Sequence, residues 1–123
     1  MADVEMVVDA GPIPYRDILL FGDPDLEHGL RHVGLEPMET SYRLMELPLT
    51  AIGDVQGMSR WQNMARSYID KVREGVEFPP LVVMPSRSGW TLLDGVNRAY
   101  AYWALGQKSV LAYELIDPSR QYR

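Results

Sequence analysis

The sequence predicts an α+β fold, a compact single domain built from a mixed sheet and two main helices. Its 123 residues are enough for one hydrophobic core, and a hydrophobic content of 46% with 24% charged residues is typical of a globular domain. From residue 41 onward, the hydrophobic patterns follow one another in the order strand, helix, strand, strand, helix, strand. This order favours a sheet with helices packed on it.

The first forty residues differ from the rest of the chain. We interpret residues 1–40 as an acidic N-terminal extension of uncertain structure, followed by a domain over residues 41–118. Apolar residues 7–8 and 18–21 predict two short strands, separated by the turn-prone residues 11–14. The apolar stretch 18–21 also offers a surface for a homodimer.

A helix is predicted after residue 23. Asp23 and Pro24 are typical of a helix start, with aspartate as the N-cap and proline at the first helical position. Gly29 weakens this helix by roughly 1 kcal/mol relative to alanine. His28 and His32 share one helix face at a spacing that suits a metal, but the sequence offers no third ligand. We therefore expect no metal site there.

The middle of the chain predicts a strand and a long helix. Residues 42–47 alternate between apolar and polar side chains, as a half-buried strand does. Ser59 and Gln62 match a capping box, in which each side chain bonds to a backbone amide at the helix start. Apolar residues then recur at helical spacing over 61–72, and Gly75 ends the helix.

The last part of the chain predicts three strands and a second main helix. A prolyl-prolyl step leads into consecutive apolar residues, which predict a central strand buried on both faces. A polar turn then predicts a hairpin, and an Asp-Gly step separates its second strand from a helix. The predicted elements are the strand 81–84, the strand 90–93, the helix 96–105 and the strand 109–116.

Composition and charge exclude several classes of protein. The chain contains no cysteine, which excludes disulfides, thiolate nucleophiles and cysteine-ligated zinc. Its apolar stretches are too short to span a membrane, and its acidic start lacks the order of a signal peptide, so we expect a cytoplasmic protein. The net charge of −5 argues against broad binding to nucleic acid. That charge is uneven, at −7 over residues 1–60 and +2 over residues 61–123, which favours an anion site in the second half.

The step from the strand 90–93 into the next helix has the features of an anion-binding turn. The first amides of a helix lack intrahelical partners, and the helix dipole makes that end partly positive. Gly95 permits close approach of a ligand, and Arg98 in the first turn can reach back to the same anion. The amide of Val96 and the side chain of Asn97 complete a cradle for phosphate or carboxylate.

A plainer interpretation of the same residues is also open. Asp94 can serve only as an N-cap that accepts a hydrogen bond from the amide of Val96 or Asn97. In that case Gly95 is a turn residue and Arg98 is a solvated surface charge. Short motifs of this kind often occur without a ligand, so the surroundings of the turn have to decide between the two interpretations.

Over about seventy residues, the sequence resembles the ParB/sulfiredoxin fold family. The matching features are a proline-containing strand at 47–49, an amphipathic helix at 60–74, a strand entered through two prolines at 79–83, a Gly-x-x-Arg turn at 95–98, and a final strand after a Leu-Gly step at 105–106. The resemblance implies that the Gly-x-x-Arg turn binds nucleotide phosphates, which places Gly95, Asn97 and Arg98 at the matching positions.

The sequence also departs from members of that family. Sulfiredoxins place a catalytic cysteine in this turn, so the resemblance does not extend to reduction of sulfinic acids. ParB proteins have a DNA-binding helix-turn-helix region after this domain, and here the sequence ends at Arg123, so we expect no sequence-specific DNA binding. Related free-serine kinases have a histidine in the turn, where this chain has Val96 and Asn97.

Two hypotheses about function follow. In the first, the domain binds a nucleotide such as ATP or CTP, and hydrolyses it, transfers its phosphoryl group or cleaves nucleic acid with Mg²⁺. Asp54 and Asp94 are then the candidate catalytic carboxylates, because such reactions need a group that holds Mg²⁺ or accepts a proton. Arg60 and Tyr102 are the candidate substrate-binding residues. In the second hypothesis the protein is a non-catalytic regulatory or interaction module that keeps the fold and binds a protein partner through its acidic residues 1–40.

Overall fold

A five-stranded mixed sheet forms the centre of residues 5–53, 62–87 and 89–116, the part of the chain that the computed structural model describes. The strands are β1 (Met6–Pro14), β2 (Ser41–Pro48), β3 (Leu81–Ser86), β4 (Gly89–Asp94) and β5 (Ser109–Ile116), and the helices are α1 (Pro24–His32), α2 (Gln62–Arg73) and α3 (Val96–Ala104). The strand order is β1-β2-β5-β3-β4, in which β3 is parallel to β5 and every other neighbouring pair is antiparallel.

The predicted α+β class and the predicted order of elements after residue 41 are confirmed. The strand, helix, strand, strand, helix, strand sequence corresponds to β2, α2, β3, β4, α3 and β5. The hairpin strands β3 and β4 are each longer than predicted, because they stay paired as far as Ser86 and Gly89. The predicted capping box begins at Ser59, which lies outside the described residues, as do Asp54 and Arg60.

Strand β3 is buried on both faces, as its run of apolar residues predicts. Leu81 and Val83 pack into a cluster on one face of the sheet, together with Ala99 of α3. Val82 points to the opposite face and joins a second cluster, which includes Leu26 and other apolar residues of the first part of the chain. Successive side chains of a strand alternate between faces, so a strand between two cores has to be apolar at every position.

The first forty residues contribute a strand and a helix to this architecture. β1 pairs antiparallel with β2 at one edge of the sheet, and α1 covers the face of the second core. The predicted start of α1 is confirmed, since Asp23 Oδ1 accepts hydrogen bonds from the amides of Asp25 at 2.8 Å and Leu26 at 3.3 Å. The predicted domain boundary at residue 41 stays a prediction.

Two predictions for this region are wrong. Residues 11–14 are not a separate turn but the second half of β1, where a shift in register between Asp9 and Ile13 accommodates Pro12 in an edge strand. Residues 18–21 are not a strand but a turn, in which the amide of Phe21 donates to the carbonyl of Ile18. Tertiary burial explains the difference, because Ile18 and Leu20 reach the second core while Leu19 and Phe21 stay exposed.

Gly29 has a packing role that its helix propensity does not reveal. A Cβ atom at this position would lie 2.8 Å from the carbonyl oxygen of Leu93 in β4. The missing side chain therefore lets α1 approach the end of β4 closely. This approach matters for the site, because Asp94 and the turn into α3 follow Leu93 directly.

Candidate functional site

The turn between β4 and α3 depends on a glycine at its centre. β4 ends at Asp94, α3 begins at Val96, and Gly95 between them has a φ of 106°. This left-handed conformation costs glycine little and strains other residues. A Cβ atom at Gly95 would also lie 2.7 Å from Leu81 Cδ2 and 2.8 Å from Arg98 Nη2. The backbone angle therefore requires glycine here, and any added side chain would also have to displace the ends of the Leu81 and Arg98 side chains.

The guanidinium of Arg98 folds back over this glycine. Its Nη2 donates to Asp94 Oδ2 at 3.3 Å and lies 3.5 Å from the carbonyl oxygen of Pro80, at the long limit of a hydrogen bond. The side chain of Arg98 is 11% exposed and that of Asp94 is 14% exposed. The interpretation of Arg98 as a solvated surface charge is therefore wrong.

Asp94 does not act as the N-cap of α3. Gly95 occupies the N-cap position, and within the described part of the chain no side chain caps the first turn. The carboxylate of Asp94 turns instead toward Arg98. The alternative in which Asp94 accepts from the amide of Val96 or Asn97 is thus wrong, and those amides keep the partly positive character of a free helix start.

Two buried polar atoms at the turn lack a hydrogen-bond partner among the residues that the structure describes. They are Oδ1 of Asn97 and Nε of Arg98. A buried group left in this state costs about 1–3 kcal/mol, and native proteins rarely tolerate it without a ligand, an ion or a water molecule. The acceptor and the donor both lie in the first turn of α3.

The electrostatic surroundings of Asp94 combine several charges. Burial raises the pKa of its carboxyl group, and the positive charge of Arg98 opposes that rise. Asp23 and Asp25 at the start of α1 raise this pKa further through their negative charges. The turn therefore holds one buried guanidinium close to the carboxylate of Asp94, and the carboxylates of Asp23 and Asp25 contribute to the pKa of Asp94.

Tyr102 lies one turn beyond Arg98 on α3 and borders a cavity. Its ring packs partly against the first core, and burial raises the pKa of its hydroxyl while the charge of Arg98 opposes the rise. The cavity has a volume of about 170 Å³ and lies between residues 78–80, Tyr102, Gln107 and the start of β5. Pro80 thus borders the cavity and also offers its carbonyl oxygen to Arg98.

The structure brings some of the predicted site residues together and leaves others undescribed. Asp94, Gly95, Asn97 and Arg98 form the turn, and Tyr102 lies close to Arg98. The candidates Asp54 and Arg60 lie outside the described residues. Sequence reasoning missed the contribution of the loop before β3, although its Phe-Pro-Pro run is visible in the sequence as an entry into a buried strand.

Glu114 of β5 is a second feature that the sequence analysis did not single out. Its side chain is buried, and it accepts hydrogen bonds from Arg43 Nε in β2 and Trp90 Nε1 in β4. A single glutamate in the apolar last strand is the signal that could have found it. Because both carboxylate oxygens have partners, we interpret Glu114 as a link between three strands and not as a reactive group.

No metal cluster is found in the described ranges. There, no group of three or more His, Asp or Glu side chains is arranged to hold a metal ion. The rings of His28 and His32 stack with their centroids 6.5 Å apart on α1. Nor does any helix in the described ranges have the length and apolar character needed to cross a membrane.

The fold is similar to that of two solved structures. One is the crystal structure of sulfiredoxin from Arabidopsis thaliana, with 23% sequence identity and a TM-score of 0.47 over 58% of this chain and 82% of that chain. The other is a structure of a Pnob8-like ParB-N domain, with 22% identity and a TM-score of 0.48 over 68% of this chain and 33% of that chain. Sulfiredoxins and ParB proteins are also the two kinds of protein in the family that the sequence resembles. No family model matches the sequence, and no curated protein does.

Proposed function

We propose that this chain binds the phosphate groups of a nucleotide at the turn 94–98. The observation on which the proposal depends is the buried guanidinium of Arg98, whose Nε has no partner among the described residues and lies at an uncapped helix start. A buried arginine donor of this kind is best satisfied by an anion, because hydrogen bonds between charged groups are the strongest available.

The chemistry of the turn favours phosphate as that anion. The amides of Val96, Asn97 and Arg98 precede the first intrahelical bond, which the amide of Ala99 makes to the carbonyl of Gly95 at 2.8 Å. Free amides and the helix dipole together form a general site for phosphate oxygens. The contact between Asp94 and Nη2 fixes the guanidinium and leaves Nε to donate to the ligand.

The negative charges near the turn favour a nucleotide that arrives with Mg²⁺. Asp94 Oδ2 lies 3.3 Å from Arg98 Nη2, and the negative charge of Asp23 contributes to raising the pKa of the Asp94 carboxyl group. A magnesium complex of ATP or CTP has less negative charge than the free nucleotide, so it meets less repulsion from these carboxylates. Asp94 acts in this proposal as the residue that positions Arg98. Its use as a catalytic carboxylate stays a prediction, as do hydrolysis, phosphoryl transfer and nuclease activity.

Calorimetric titration with ATP and CTP in the presence of Mg²⁺ tests the proposal. We expect Arg98→Ala to weaken binding at least about tenfold, because a charge-assisted hydrogen bond contributes roughly 1.5–3 kcal/mol. Arg87→Ala is the matched control, since it removes the same charge from an exposed position in the turn between β3 and β4, at the other end of β4. Thermal unfolding of both variants verifies that they are folded.

Two results would contradict the proposal. One is the absence of binding of either nucleotide to the wild-type chain. The other is a folded Arg98→Ala variant that binds with unchanged affinity. Arg98→Lys adds a further comparison, because it keeps the charge but loses the planar guanidinium, and we expect its affinity to lie between those of the wild type and Arg98→Ala.

A further inference from the structure

The cavity beside Tyr102 lies next to the proposed phosphate site. Pro80 belongs to both, since it borders the cavity and its carbonyl oxygen lies 3.5 Å from Arg98 Nη2. Tyr102 follows Arg98 by four residues, so both side chains lie on the same face of α3. The effect of the charge of Arg98 on the pKa of Tyr102 supports this proximity. The cavity therefore begins at Pro80, which also contacts Arg98, and it shares the helix face on which Arg98 lies.

The walls of the cavity differ in chemistry from the turn. They comprise aromatic, prolyl and aliphatic groups with the amide of Gln107, and none of the lining side chains is charged. The cavity is thus unsuited to a second phosphate group. Flat apolar walls with a tyrosine ring are the surroundings in which a neutral aromatic ring is stabilised by stacking.

Contacts within the protein hold two of these walls in place. The ring of Phe78 packs against Tyr68 of α2, with the ring centroids 5.3 Å apart. Gln107 donates from Nε2 to the carbonyl oxygen of Ser109 at 2.8 Å, which fixes the orientation of its amide. Walls that are already ordered require less loss of conformational freedom when a ligand binds.

The size of the cavity limits what it can hold. Its volume of about 170 Å³ is smaller than the roughly 300–1,000 Å³ of pockets that enclose a complete drug-sized ligand. We propose that it receives only the base of the nucleotide, stacked on Tyr102, while the phosphates stay at the turn 94–98. This inference rests on the proposed function, and it assigns the base to a site that is separate from the turn.

Comparison of a nucleotide with inorganic tripolyphosphate tests the inference. We would titrate the chain with ATP, CTP and tripolyphosphate, each with the same concentration of Mg²⁺. If the base occupies the cavity, at least one of the two nucleotides binds about tenfold or more tightly than tripolyphosphate, which has the phosphates but no base. In Tyr102→Leu this ratio of affinities falls to about one, whereas in Tyr102→Phe, which keeps the ring, the ratio is retained.

Trp103→Leu is the matched control. Trp103 is the next residue of the same helix, it is 39% exposed, and it does not line the cavity, so we expect the ratio to stay at its wild-type value. Equal affinities for tripolyphosphate and both nucleotides in the wild-type chain would overturn the base site and leave the phosphate site supported. A ratio that persists in Tyr102→Leu would also overturn the base site. Binding of none of the three compounds would overturn both proposals.

Discussion

Gly95 and Arg98 show how far single residues can be interpreted from the sequence. The Asp-Gly step predicts a break between a strand and a helix, and the arginine three residues after the glycine predicts a positive group in the first turn. The sequence cannot reveal that Arg98 Nη2 lies only 2.8 Å from the place that a Cβ of residue 95 would take, because that distance depends on the direction of a long side chain. Nor can the sequence reveal that the side chain of Arg98 is only 11% exposed.

Gly95→Ala tests this arrangement. We expect a loss of stability above the roughly 1–3 kcal/mol of a strained backbone angle, because the new methyl group also displaces Leu81 and Arg98. The free energy of unfolding in urea measures the loss. Gly106→Ala is the control, since Gly106 also has a positive φ, of 77°, but has nothing within 4 Å of the added Cβ. Equal losses in the two variants would contradict the account.

Asp94→Asn tests the environment of the buried carboxylate through pH. Burial raises the pKa of Asp94 above 3.8. The positive charge of Arg98 lowers this pKa, and the negative charge of Asp23 raises it further. Between 3.8 and the higher pKa of the folded state, the folded chain binds more protons than the unfolded chain, so its free energy of unfolding falls as the pH rises. Asparagine does not titrate, and Arg98 stays charged throughout.

The measurement for this variant is a series of urea denaturations at increasing pH. We expect the difference in unfolding free energy, variant minus wild type, to increase across the window that begins at 3.8. A difference that does not vary with pH would mean that Asp94 titrates alike in the folded and unfolded states. A difference that decreases with pH would mean that Arg98 lowers the pKa of Asp94 by more than burial raises it.

The helices and strands after residue 41 could be predicted because their apolar patterns agree with their final positions. The run of apolar residues in β3 predicts burial on both faces, and the two cores confirm it through Leu81 and Val82. Residues 18–21 could not be predicted in this way. Their apolar run is typical of a strand, but a turn places two of its residues in the second core and the other two in solvent.

Gly29→Ala tests how α1 packs on β4. In the interior of an exposed helix, a change from glycine to alanine stabilises the helix by about 1 kcal/mol, because alanine favours the helical conformation. Here the added Cβ would lie 2.8 Å from the carbonyl oxygen of Leu93, so we expect a loss of stability. His28→Ala, an exposed substitution on the same helix, is the control and should cause little change. Denaturation in urea distinguishes the two outcomes, and a more stable Gly29→Ala chain would contradict the close approach.

In the molecule as a whole, the turn 94–98 could be predicted from the sequence better than the cavity beside it could. The turn 94–98 is continuous in the chain, so its glycine, helix start and arginine are visible together. The cavity brings Phe78, Tyr102 and Gln107 together from separate segments, and only the folded sheet reveals that they are neighbours. The contribution of Asp54 and Arg60 stays a prediction, because both lie outside the described residues.

The charge of the chain is distributed unevenly between its two halves. A net charge of −5 does not favour an anion site, yet the second half, with a balance of +2, contains the turn and Arg98. The acidic first half also affects this turn, because the negative charge of Asp23 at the start of α1 raises the pKa of Asp94. The site thus combines a buried guanidinium with nearby carboxylates, and this combination is the reason that we expect Mg²⁺ to accompany the nucleotide.

A crystal structure of the chain grown with Mg²⁺ and ATP or CTP is the most direct test of nucleotide binding at the turn 94–98. We expect phosphate density at the amides of Val96, Asn97 and Arg98, with Arg98 Nε donating to a phosphate oxygen and Asp94 still paired with Nη2. A nucleotide bound elsewhere, with the guanidinium of Arg98 unchanged and its Nε still without a partner, would contradict it.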